Sequence, residues 1–163
     1  MKRMILASTA LLLLSGPVVA NPIEDARICA KGVEQPAESY LPYCTRAIQS
    51  RRLGRADLAL THNNRGAILQ ALGREDEALG DFDWAIKFNP GLAWSYLNRG
   101  MIFIHREEFR RAWEDFNQAI KADPRDSKGY VNRSAVYIST KQYDAALNDL
   151  ETALALNPRD PIA

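Results

Sequence analysis

Two histidines, two cysteines and three evenly spaced arginine–aspartate pairs are the side chains of this 163-residue chain that could do chemistry. His62 and His105 show no His-x-x-x-His or Glu-x-x-His spacing, which would set metal ligands on one helical face. There is no G-x-S-x-G elbow to present a nucleophile, and no glycine-rich loop follows a strand to cradle a phosphate. The sequence therefore reads as a non-enzyme with no metal and no cofactor. Cys29 and Cys44 are its only cysteines. A reactive thiol pair would want a Cys-x-x-Cys spacing or cationic surroundings, so a structural disulfide fits better, provided the compartment is oxidising. Closing a loop of that size stabilises by about 3 kcal/mol in the chain-entropy model. Arg65, Arg99 and Arg133 are each followed sixteen residues later by an aspartate, Asp81, Asp115 and Asp149. Such a ladder could bind anions or form internal ion pairs. Because each guanidinium arrives with its own carboxylate, the ion pair is the better reading.

The pairs recur because the stretch that carries them repeats every 34 residues, over 59–92, 93–126 and 127–160. Asn64-Arg65-Gly66 aligns with Asn98-Arg99-Gly100 and Asn132-Arg133-Ser134. Ala78, Ala112 and Ala146 share one place, and Ala85, Ala119 and Ala153 another. Asn89-Pro90, Asp123-Pro124 and Asn157-Pro158 close the units, and a fixed period of this kind marks a stacked array. Each unit splits into two helices. In the first, Leu58 to Leu72 carries one helical pattern, Gly73 breaks it, and Glu75 to Phe88 carries the second. Glu75, Asp76 and Glu77 suit the N-terminal dipole of that second helix. Ala78, Phe82 and Ala85 make one stripe, against which Gly66 should pack. Pro90 stops the helix.

Ahead of the array, Lys2 and Arg3, an apolar run Met4–Leu14 and Val18-Val19-Ala20 read as a cleavable export signal over residues 1–20. The run is too short to span a bilayer, which needs about 20 residues, so the mature chain should not be membrane-embedded. Cleavage removes two cations and takes the net charge from +1 to −1. The periplasm is the expected location, with secretion as second choice. Residues 21–58 read as a worn helix pair, about Ile23 to Lys31 and Ser39 to Arg52, since Thr45-Arg46-Ala47-Ile48 resembles Asp83-Trp84-Ala85-Ile86. That pairing would bring Cys29 to Cys44. Charged residues are 25% and apolar ones 47%, interspersed, which gives no case for nucleic acid or an anionic membrane. The densest basic run, Arg46 with Arg51, Arg52 and Arg55, reads as a helix C-terminal cap.

The second unit, with Tyr96, Gly100, Phe103, Ala112, Phe116, Ala119 and Pro124, resembles the tetratricopeptide repeat. The first unit departs at His62 and Leu69, and the third at Ser134 and Leu150. The resemblance implies an all-α fold of antiparallel helix pairs stacked into a right-handed superhelix, with the first helices lining a concave groove. It implies no reaction. It also places Trp94, Leu97, Met101, Ile104 and His105 of the second unit on that groove, with Val131 and Ile138 of the third and Asn63 and Gln70 of the first. Such a strip suits an extended or helical peptide of a protein partner, or it is internal packing. The places where some members hold a terminal carboxylate carry Asn63, Ala67, Met101, Val131 and Ala135, so that clamp is missing. The implied function is a scaffold or adaptor binding an unidentified protein or peptide. The alternative is self-assembly into a homo-oligomer through the last helix, where Leu147, Leu154 and Leu156 lack a capping partner.

Overall fold

The computed structural model describes residues 21–158; the expected signal segment 1–20, and residues 159–163, lie outside the described residues. Eight α-helices make up the described residues, in the order α1 (Pro22–Glu34), α2 (Leu41–Gln49), α3 (Arg55–Ala71), α4 (Glu75–Phe88), α5 (Ala93–His105), α6 (Phe109–Ala122), α7 (Ser127–Ser139) and α8 (Tyr143–Leu156). A 3-10 turn, Glu38–Tyr40, leads into α2. The fold is an all-α helical repeat. α1 begins where Asn21 accepts a hydrogen bond from Ile23 N, with Pro22 in the first turn and Glu24 and Asp25 beside the dipole. It runs three residues past the expected Lys31, through Glu34. α2 ends three residues before the expected Arg52, because Arg51 takes a left-handed conformation with φ 55°. α4 spans the residues its pattern predicts.

Within each pair the helices pack on each other, and each second helix then meets the first helix of the next pair. The first helices also touch in sequence, α1 on α3, α3 on α5 and α5 on α7, so one side of the array is a row of first helices. Three core clusters follow one another along it. Cys29, Cys44 and Ile68 form the first; Leu69, Ala78, Phe82 and Ile102 the second; and Tyr96, Leu97, Phe103, Phe116 and Val136 are members of the third. Ile68 and Ile102 each come from the following pair, so apolar burial joins neighbours as well as partners. The turn inside each unit repeats its backbone: Gly73, Glu107 and Lys141 stand 34 residues apart with φ of 76°, 58° and 61°. Glycine adopts that region without strain, whereas the other two do so against a steric cost.

The small residue of each first helix meets an aromatic ring directly. A Cβ on Gly66 would lie 2.7 Å from Phe82 Cε1, and one on Gly100 would lie 2.5 Å from Phe116 Cε1. Of the expected stripe of Ala78, Phe82 and Ala85, the Phe82 ring comes nearest to Gly66. In the third unit both members change together, to Ser134 and Leu150, a side chain with a Cβ opposite a smaller apolar group. Gly100→Ala should therefore destabilise by about 2 kcal/mol through overpacking, and Phe116→Leu added to it should recover most of that loss. Thermal unfolding of the two variants checks this; a double variant no better than the single would mean the ring is not what the new Cβ meets.

Candidate functional site

The three arginines are two-sided fasteners. Each grips the aspartate of its own second helix with both Nε and Nη2, Arg65 on Asp81 at 2.7 and 2.8 Å, Arg99 on Asp115 at 2.8 and 2.7 Å, Arg133 on Asp149 at 2.8 and 2.6 Å. Nη1 then crosses to the preceding pair, at Thr45 Oγ1 (3.1 Å), Asp83 Oδ1 (2.5 Å) and Asn117 Oδ1 (2.5 Å). Those three acceptors occupy one place in the repeat. All three aspartates are buried, and the bidentate fork suits a guanidinium as it would not an ammonium. The donors are committed to protein acceptors, which favours packing over an anion ladder.

His62 completes the first of these clusters. It is buried, its Nδ1 lies 2.8 Å from Asp81 Oδ1, and its ring stacks with Trp84 and Phe88. The other units place Tyr96 and Tyr130 there. Burial drives the carboxyls of Asp81 and Asp115 upward. At Asp81 the hydrogen bonds from His62 and Arg65 outweigh burial and hold the carboxyl below its ordinary range. At Asp115 burial prevails over Arg99 and the carboxyl is raised. A lowered Asp81 contributes stability that is present above the ordinary carboxylate pKa and is lost as pH falls through the lowered one. His62→Tyr removes one of the groups holding it down, so the acid-unfolding midpoint should move to higher pH. Acid titration by circular dichroism reads this, and an unmoved midpoint would remove His62 from the account.

The worn pair has its own ion pair with the charges exchanged between helices. Arg46 of α2 grips the buried Asp25 of α1, at 3.1 and 2.7 Å. Arg46 stands in the last turn of α2, as the basic run suggests, and its guanidinium is also spent on this ion pair. Arg55 caps a different helix: its Nε and Nη2 donate to the carbonyls of Phe88 and Lys87 at the end of α4, at 2.8 and 3.1 Å. The sulfurs of Cys29 and Cys44 lie 2.13 Å apart, a disulfide distance, and both residues are fully buried.

The positions marked for a groove separate into accessible and inaccessible ones. Trp94 is 51% exposed and Ile138 49%. Lys128 Nζ sits 4.3 Å from the Trp94 ring centroid, a cation–π contact from α7 to α5. Met101 and Ile104 are half-buried against the third core cluster, and Gln70 and Val131 are half-buried. His105 is exposed with Nδ1 3.5 Å from Glu75 Oε1, at the edge facing α4. Leu97 and Asn63 are inaccessible at 5% and 7% exposure. Leu97 is core, since a strip three or four residues wide on a helix laid between two others is covered at one margin. Asn63 is an internal tie from α3 to α5, accepting from Ser95 Oγ at 3.1 Å and Asn98 Nδ2 at 3.3 Å. Sequence reasoning missed a contribution from the worn pair: Ile23, Ala26 and Ala30 of α1 join Leu60 and Asn64 of α3 around a cleft of ≈ 260 Å³ on the first-helix side. The spacing of Ile23, Ala26 and Ala30 in one helical stripe was the available signal.

Among the described residues no group of three or more His, Cys, Asp or Glu comes together as a metal site, and no helix is long and apolar enough to cross a membrane. No curated protein sequence matches the chain. Among solved structures it is similar to the Arabidopsis OM64 TPR domain, with 26% identity, a TM-score of 0.64, and coverage of 67% of this chain and 90% of that one. It is also similar to MamA 41-end from Desulfovibrio magneticus RS-1, with 17% identity, a TM-score of 0.70, and coverage of 84% and 76%. A third is the second TPR of Spaghetti (RPAP3), bound to the HSP90 peptide SRMEEVD, with 24% identity, a TM-score of 0.60, and coverage of 70% and 95%. The last two likenesses are of fold. Models of the tetratricopeptide repeat family match residues 95–126 and 127–160, so those two stretches are similar to tetratricopeptide repeats, a family of generally non-catalytic modules that mediate protein–protein interaction.

Proposed function

We propose that the chain is an exported adaptor, which holds an extended or helical segment of a protein partner on the side formed by its first helices. One observation carries the reading. Leu60, Trp94 and Ile138, from three successive first helices, are each close to half exposed, and those helices touch one another in sequence. A large aromatic anchor among smaller apolar groups is what a peptide-binding surface offers. Export is supported by the signal-like residues 1–20 and by a cysteine pair at disulfide distance. A photoreactive residue at Trp94, with a control at Glu114 on α6, tests the site in the native host. The expected result is an adduct of foreign mass from the Trp94 probe only, on a chain whose N-terminal sequence begins at Asn21. Equal adducts from both probes would sink the groove, and an intact residue 1 would sink export.

A second reading, self-association, has its own support at α8. Tyr143 and Leu147 are 63% and 57% exposed, and Leu154 is also exposed. At matching places Leu79, Ile86 and Phe109 pack against the core. Sedimentation of the wild type and of Leu147→Glu separates the readings, since only a dimer through this face would dissociate in the variant.

A further inference from the structure

Two junctions between units, α4 to α5 and α6 to α7, use matching positions but are finished differently. At the first, Arg106 reaches back from the end of α5, with Nε 3.2 Å from Glu75 Oε2 and Nη2 2.9 Å from Asp76 Oδ1. Its side chain spans that edge of the array. Thirty-four residues on, Thr140 stands for Arg106, Phe109 for Glu75 and Arg110 for Asp76. The Thr140 hydroxyl turns back onto its own helix and donates to Val136 O at 2.9 Å. What the arginine fills at one junction is left as a cleft of ≈ 350 Å³ at the other, lined by Phe109, Arg110, Trp113, Tyr137, Thr140 and Gln142 among others.

The cleft's chemistry is defined by which groups are already committed. Trp113 Nε1 donates to Tyr137 Oη at 3.0 Å, and Gln142 Nε2 to Thr140 Oγ1 at 2.9 Å. The walls are therefore aromatic surface whose polar atoms bond to one another. Arg110 supplies the charge at the rim; it is almost fully exposed and contacts Glu114 through an i, i+4 pair at 3.2 Å, a class of interaction that contributes little. The sign is the reverse of the first junction, where two carboxylates receive a cation. The volume falls at the small end of ligand sites, about 300–1,000 Å³, which suits one side chain rather than a cofactor.

We propose that this cleft is a second ligand site, away from the first-helix strip, for a protein segment that presents an aromatic or branched apolar side chain next to a carboxylate. The apolar group enters between Phe109, Trp113 and Tyr137, and the carboxylate takes the free guanidinium donors of Arg110. The site stands whether or not the first-helix side binds a partner. The probe is 3-phenylpropionate, one ring joined to one carboxylate, titrated into the purified chain while the indole N–H resonances of Trp84, Trp94 and Trp113 are followed by NMR. The expected result is a saturable shift of the Trp113 resonance only, with phenethylamine, the same ring on a cation, about two- to fivefold weaker, as an exposed ion pair to Arg110 implies. Thr140→Phe fills the cleft with a ring of the chain's own at an exposed position and should abolish the shift; Arg110→Glu should erase the preference for the carboxylate probe. No Trp113 response, equal binding of the two probes, a response at Trp94 instead, or a shift that survives Thr140→Phe in a folded variant overturns the proposal.

Discussion

Replacing Asp115 with alanine lowers the stability of the array by about 3 kcal/mol, the low end of the range for removing one partner of a buried ion pair, because Arg99 keeps Asp83 as a second counter-charge. The loss is large because Arg99 is only 21% exposed at its side chain and cannot turn to solvent without abandoning Asp83 on α4. The guanidinium keeps only the single contact to the exposed Asp83 in place of the buried bidentate one, so Nε and Nη2 are left without their acceptors. Arg99→Ala tells the same story from the other side, with a difference in its pH dependence. An unpaired buried carboxyl has its pKa raised further by burial. A raised folded-state pKa gives stability that is present below the unfolded value and lost as pH rises through the folded one. Acid should therefore rescue Arg99→Ala and leave Asp115→Ala unrescued. The double variant should lose less than the sum of the two singles, and strict additivity in denaturant unfolding would mean that the pair is not coupled.

Reduction of the Cys29–Cys44 crosslink should cost about 3 kcal/mol by the loop-entropy argument, and the loss should be confined to α1 and α2. The cluster that holds this pair has Cys29, Cys44 and Ile68 as its buried members, with Tyr40 and Leu41 half-buried beside them. Little apolar surface is left to hold α1 once the crosslink opens, although Asp25 and Arg46 still attract. Hydrogen exchange with and without reductant locates the effect. Amides of α1 and α2 should lose protection while those of α5 to α8 keep theirs, because stability in a repeat array is carried by each unit and its neighbours. Uniform loss along the chain would show that the array unfolds as one body instead.

The repeat period made the fold legible. It located α4 to the residue and foretold the Arg–Asp pairs, since two residues that recur together on packed helices have few other places to go. It said less about which of two neighbours a side chain chooses. Asn63 and Trp94 share one expected surface, yet Asn63 is taken up by Ser95 and Asn98 while Trp94 stays open. A periodic pattern assigns a face, and the width of the covering helix decides how much of that face survives. Arg46 and Arg55 show a different limit. Their partners, Asp25 and the end of α4, lie 21 residues or more away, and in the worn pair the acid and base have exchanged helices, so no alignment of units reveals them. The cleft beside Thr140 was visible only as a loss, a position where one unit has an arginine and the next does not.

The crossing reach of the arginines also makes the length of the array adjustable. Excising residues 93–126 in frame would bring α4 against α7, where Arg133 would find Asp83 in the place of Asn117, and Gly129 would find Ile86 in the place of Ile120. Both substitutes are chemically adequate. A coupling rule written at each seam, and not across the whole molecule, lets such a chain gain or lose a unit without rewriting the remainder.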